Sequence, residues 1–332
     1  MGASNHVPPT ARAWRAFYAR ERDELGEPGL IARLDRAPTI TVPAGGALIF
    51  PHTRLRHSGH LVGAVANAVV DSGCDRVLAL GVLHGAREAD AGAVARARAG
   101  DPAARQALRG VHGPGVDGDG GHWDEEFSLD GFRALVGLAA RRAGRPPPEL
   151  IARFPFLVGD DPSSLPGVDE LRAVVDAGAV VVATTDPVHY GVGYGRPDAD
   201  LARDDARAVA FARSSVERAL ELLSTGDYTG FGAHAVAARS DFRDVGPVLA
   251  TLLGPPLAAV LRDLVLVGYA DVLEAAEPTW VAGALSALSD VSARRDRSGA
   301  RERGSRASRR SAGSGPGGTP PRARRSRRGA PG

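Results

Sequence analysis

Residues 179–191 read AVVVATTDPVHYG. The first seven carry no charge and no polar alternation, and three of them are consecutive valines. A β-branched run of that kind is a strand buried on both faces, the mark of a sheet sandwiched between helices. The run then releases Asp186 and His189 into the turn that follows.

The same pattern recurs outward from this stretch. ALIF (47–50) ends just before His52, and RVLALGVL (76–83) ends at His84. FPFLVG (154–159) and LRDLVLVGY (261–269) are two further apolar runs of strand length. Between them Ala, Leu and Arg recur at helical spacing, most clearly over 60–72 and 201–223, and also over 131–143, 168–176 and 233–239. Strands alternating with helices predict an α/β fold with a mostly buried central sheet and helices on both faces. Such sheets carry their sites at the carboxyl ends of strands. Three strand ends each release a histidine there, from a chain with nine. In IFPHTRLRHSGH (49–60), His57 and His60 crowd the same exit, His60 at the start of the 60–72 helix, where a helix residue rather than a ligand is expected.

Composition narrows the classes. The 332 residues are 43% hydrophobic, enough for a substantial core, but only 5% aromatic, so that core is built from Val, Leu and Ala. All basic residues are arginine, a bias of GC-rich coding that makes arginine abundance weak evidence for nucleic-acid binding. The net charge of +2 divides unevenly: 294–332 holds thirteen Arg against Asp296 and Glu302, a +11 tail on a body of −9. The division predicts a helical lead-in at 1–38, one α/β domain at 39–291, and a tail at 292–332 too poor in apolar residues to order itself. The glycine- and aspartate-rich 112–126 reads as a surface insertion or a lid. The single Cys74 excludes an internal disulfide and is expected to be a small buried residue. With no secretory h-region and no apolar run of membrane-spanning length, a soluble cytoplasmic protein is expected.

Two imidazoles and a carboxylate on one face hold a divalent metal with positions left open, the arrangement of non-haem Fe(II) oxygenases. His52 and His84 suit that role. His189, beside Asp186, suits acid–base work, because imidazole titrates near neutrality.

Seven segments in order resemble the Memo family across roughly residues 40–288. PHTRLRHSG looks like its PHAGYxYSG, LGVLHG like LGPSHH, EEFSLDGF (125–132) like EHSxExHLP, and FPFLVG like xPVLVG. TTDPVHYG is similar to SSDxxHYG, DVGPVLATLL (244–253) to the CGxGPV helix start, and GYADVLEAAEPTWVAGALSAL (268–288) to the closing segment. The resemblance implies the mixed-sheet fold of the class III extradiol dioxygenases. It also implies a metal at His52 and His84, with Fe(II) the first choice and Zn or Cu as alternatives, and His189 as the acid–base group with Asp186 beside it. His57, standing at a family tyrosine, would line the pocket.

The departures matter as much. Arg243 falls at the family's cysteine ligand and cannot bind a cation; beside the pocket it would either abolish metal binding or clamp a substrate carboxylate. The missing ligand is then expected from Asp244, with Asp241 next in order. Phe127 and Phe132 replace family histidines and make the pocket more apolar. The function expected is an oxygenase or dioxygenase acting with dioxygen on a small, phenolic molecule. The alternative is a non-catalytic Memo-like metal-binding or interaction protein. Zinc-assisted hydrolysis stands third, without an HExxH motif to support it. No membrane partner is expected, a nucleic-acid role would rest on the tail alone, and a homo-oligomer is left open.

Overall fold

The computed structural model describes residues 11–84, 91–116, 126–157 and 161–291. Helix α1 (Ala11–Asp35) leads to β1 (Gly46–Phe50), α2 (Leu55–Ser72) and β2 (Arg76–Leu80). There follow α3 (Ala91–Ala99), α4 (Pro102–Leu108), β3 (Gly110–His112), α5 (Asp130–Arg142) and β4 (Glu149–Phe156). The second half runs α6 (Val168–Asp176), β5 (Val180–Thr184), β6 (Val188–Gly191), α7 (Ala206–Thr225), α8 (Tyr228–Ala238), α9 (Phe242–Leu253), β7 (Leu257–Gly268) and β8 (Thr279–Asp290). No helix among the described residues is long and apolar enough to cross a membrane. The tail at 292–332 and most of the 112–126 insertion lie outside the described residues.

The fold is α/β around one mixed sheet, with β1, β2, β4 and β5 parallel at its centre. Side chains alternate across it as a buried pleat requires. Ala47, Ile49, Leu78, Leu80, Val181 and Ala183 pack with α6 to α9 on one face. Leu48, Phe50, Val77, Ala79 and Val182 pack with α2 to α5 and Leu34 of α1 on the other. Phe50 stacks on Phe132 of α5 at 4.6 Å, both with almost no exposure; burying each such ring contributes on the order of 1.5–3 kcal/mol. Helix α1 belongs to this second layer: Gly59 and Gly63 of α2 face Arg33 so closely that a side chain at either would press on it.

The antiparallel β8 organises the functional end. On one edge it pairs with β7 along its whole length. On the other, β1 covers Ser286–Ser289 and β6 covers Thr279–Ala282, so the two strands lie end to end. At the break Pro51 and Thr53 pass over Gly283, where a Cβ would lie 3.1 Å from each side chain. The chain leaving β5 crosses the end of β1, held by the Thr185 amide donating to the Phe50 carbonyl at 2.9 Å, and continues as β6. His52, Asp186 and His189 are therefore gathered at one crossover.

Candidate metal centre

Each imidazole is fixed through its Nδ1. The Thr184 hydroxyl donates to the Phe50 carbonyl at 3.0 Å, so its oxygen accepts from His52 Nδ1 at 3.3 Å. His84 Nδ1 meets Glu126 Oε1 at 3.0 Å. His189 Nδ1 donates to the Arg239 carbonyl at 2.6 Å. With every Nδ1 serving as a donor, each neutral ring keeps its lone pair on Nε2.

Those three Nε2 atoms converge on one carboxylate oxygen. Asp241 Oδ2 lies 3.5 Å from His52, 3.4 Å from His84 and 3.5 Å from His189. His52 Nε2 is 3.1 Å from His84 Nε2 and 3.6 Å from Asp186 Oδ2. Nitrogen and oxygen ligands about 2.1 Å from a common cation stand about 3.0–3.4 Å apart, so the spacing is compatible with a cation held among these groups. Two overlapping groups meet the requirement: His52, His84 and Asp241, and Asp186, His189 and Asp241.

Surrounding contacts hold these ligands. Glu126 is buried and accepts the amides of His84, Phe127 and Ser128 at 2.7, 2.9 and 3.1 Å besides the His84 ring. Ser128 pins the β2 exit by hydrogen bonds with both the amide and the carbonyl of Val82. Asp186 Oδ1 accepts the His52 amide at 3.2 Å, and its own carbonyl accepts the Asp241 amide at 3.2 Å. Partners of this kind orient a metal's ligands and fix their tautomers.

Charge is concentrated here. Burial alone would lower the His84 pKa, but Glu126 and Asp241 outweigh it and raise it to about 10. Burial would raise both acids, yet the facing imidazoles hold Asp241 well below the carboxylate range and His84 lowers Glu126. Asp186 goes the other way, raised by burial. In the metal-free chain His84 is thus protonated at neutral pH, with Nε2 facing both Asp241 Oδ2 and His52 Nε2.

A cavity of about 110 Å³ opens above the centre, walled by Trp14, Tyr18, Phe127, Tyr194, Tyr269 and Val281. The His52 and Asp186 side chains are only 3% and 4% exposed, against about a fifth for His84 and Asp241, so the centre faces the cavity from the latter side. Phe127 stacks on the His84 ring at 4.6 Å and on Tyr18 at 5.1 Å. The Tyr269 hydroxyl joins Tyr18 at 2.7 Å and Thr53 at 2.6 Å and accepts the Arg54 amide at 3.3 Å. Burial raises the pKa of Tyr18, Tyr194 and Tyr269, keeping these walls neutral.

Several expectations are corrected. Asp244, first choice for the carboxylate ligand, points away: its Oδ1 accepts the buried Leu157 amide at 3.1 Å and its Oδ2 lies 3.9 Å from Arg98. Asp241, at the start of α9 and tethered to the β5 crossover, is the carboxylate that meets the imidazoles. His57 is exposed, because α2 begins at Leu55 and turns Leu55, Ser58 and Gly59 inward. Arg243 is half-buried on α9 and is not among the cavity's lining residues. Phe132 packs on Phe50 in the core rather than in the cavity.

Other site residues were not anticipated. Glu126 stood within EEFSLDGF, but nothing in the sequence pointed it at His84. Trp14 and Tyr18 come from α1, and WRAFY is an aromatic cluster in an aromatic-poor chain, a signal that could have marked them. No protein-family profile matches the chain, and no curated protein sequence matches it.

Proposed function

We propose that this chain is a non-haem Fe(II) oxygenase of the class III extradiol type, related to Memo-like proteins and acting on a small phenolic molecule. The observation that supports the reading is the convergence of three Nε2 atoms on Asp241, each ring held by a separate partner at Nδ1. His52, His84 and Asp241 would hold the metal, a two-histidine, one-carboxylate set with open positions. Bound there, Fe(II) supplies the redox chemistry and open coordination that dioxygen activation needs.

The chain's own groups do the rest. His189 Nε2 faces the cavity and, with Nδ1 held by the Arg239 carbonyl, takes the proton of a substrate hydroxyl. Asp186 keeps the His52 backbone in place. The neutral aromatic walls exclude water and favour a planar ring.

A non-catalytic metal-binding protein is the second reading, and one observation favours it. At about 110 Å³ the cavity is smaller than the roughly 150 Å³ hole that holds benzene, which leaves little room for a ring and dioxygen together. Anaerobic loading with Fe(II), followed by oxygen-uptake measurements with catechols and 2-aminophenols, tests the proposal. Stoichiometric iron with turnover supports it; iron without turnover favours the second reading.

A further inference from the structure

His189 and Asp186 have more ligand capacity than a single metal position uses. Both lie in the second group that meets at Asp241. His189 Nε2 is 3.5 Å from Asp241 Oδ2, with its lone pair toward the centre. The Asp186 side chain is 4% exposed; its Oδ1 accepts the His52 amide, and its Oδ2 is turned toward the cluster, 3.6 Å from His52 Nε2.

The charge balance points the same way. Asp186 and Asp241 both line the cavity, and no arginine is among its lining residues. Buried charges are costly unless paired.

We infer that the centre has a second divalent-cation position held by Asp186, His189 and Asp241, with Asp241 bridging it to the position at His52 and His84. The inference rests on the proposed first position and goes beyond it. One imidazole with two carboxylates is a harder, more oxygen-rich set than the first, suited to Mn(II), Co(II) or Zn(II). Occupying it takes the His189 lone pair, so the second cation would silence the proton acceptor and act as an inhibitor.

Titration of the full chain with Co(II), followed by calorimetry and visible absorption, tests this. Two equivalents are expected for the wild type, and one for His189→Ala, with the first equivalent's affinity within about threefold of wild type. Asp186→Asn should weaken the second equivalent at least tenfold and leave the first bound. Circular dichroism identifies a variant that fails to fold, and His189→Gln then replaces the alanine. One equivalent in the wild type, left intact in His189→Ala, overturns the second position while the first stands. Loss of the only equivalent in His189→Ala would make His189 a ligand of a single centre and also overturn the inference. No binding by the wild type overturns both positions.

Discussion

The Nε2 atoms of His52 and His84 face each other at 3.1 Å, although Thr184 and Glu126 each occupy the opposite nitrogen of the ring. Two neutral imidazoles in those tautomers would set lone pair against lone pair. Protonation of His84 relieves this in the metal-free chain, and a cation does so in the loaded one. Metal binding at pH 7 should therefore release about one proton. Calorimetry of Co(II) binding in buffers of different ionisation enthalpy measures this, and an enthalpy independent of buffer would contradict the arrangement.

Replacing Asp241 should separate the ligand from its neighbour. Asp241→Asn removes the anion on which all three rings converge and should weaken Co(II) binding by about 100-fold or more. Asp244→Asn should leave metal stoichiometry unchanged and cost about 1–3 kcal/mol of stability, because it disturbs the acceptor of the buried Leu157 amide. Chemical denaturation and metal analysis of the two variants should give opposite outcomes. Equal loss of metal in both would return Asp244 to the ligand set.

Glu126 should govern how the centre responds to pH. The folded His84 value, about 10, lies above its unfolded value of about 6.5. Its stabilisation is complete below about pH 6.5 and is lost as pH rises through about 10. Glu126 is shifted down, so its contribution holds above about pH 4.5 and fades on acidification below that. In Glu126→Gln the alkaline loss of stability should move to lower pH, and metal affinity should fall by about 10–100-fold. Unfolding free energy measured between pH 5 and 10 on metal-free protein checks the first effect; an unmoved alkaline limb would show that Glu126 does not set the His84 proton affinity.

Trp14 should limit what enters the cavity. Trp14→Ala is expected to let 2,3-dihydroxynaphthalene bind to iron-loaded protein that, as wild type, takes only a single-ring catechol. Spectroscopic titration with both catechols decides it, and equal exclusion of the larger probe by variant and wild type would remove α1 from the cavity roof.

The Tyr269 hydroxyl ties three elements together, through Tyr18 of α1, Thr53 and the Arg54 amide. Tyr269→Phe leaves those buried partners short of a hydrogen bond and should cost about 1–3 kcal/mol in denaturant unfolding. A loss under about 0.5 kcal/mol would mean that water replaces the hydroxyl.

The uninterrupted apolar runs of β1, β2 and β5 were legible because a strand buried on both faces needs no polar alternation. Each run also marked its own carboxyl end, which is how His52, His84, Asp186 and His189 could be read as one locus. By contrast β8, the strand that orders the functional end, is TWVAGALSALSD, whose Ala, Gly and Ser residues carry no strong strand signal. Its burial comes from β7 on one edge and β1 and β6 on the other, contacts that exist only in the folded chain. The choice between Asp241 and Asp244 was likewise beyond sequence, since both lie at the start of α9. Tethering to Asp186 turns one carboxylate into the cluster, and the Leu157 amide draws the other away. Local composition thus decided which strand ends carry chemistry. Long-range packing decided which side chains meet there, because direction in space depends on what each element is packed against.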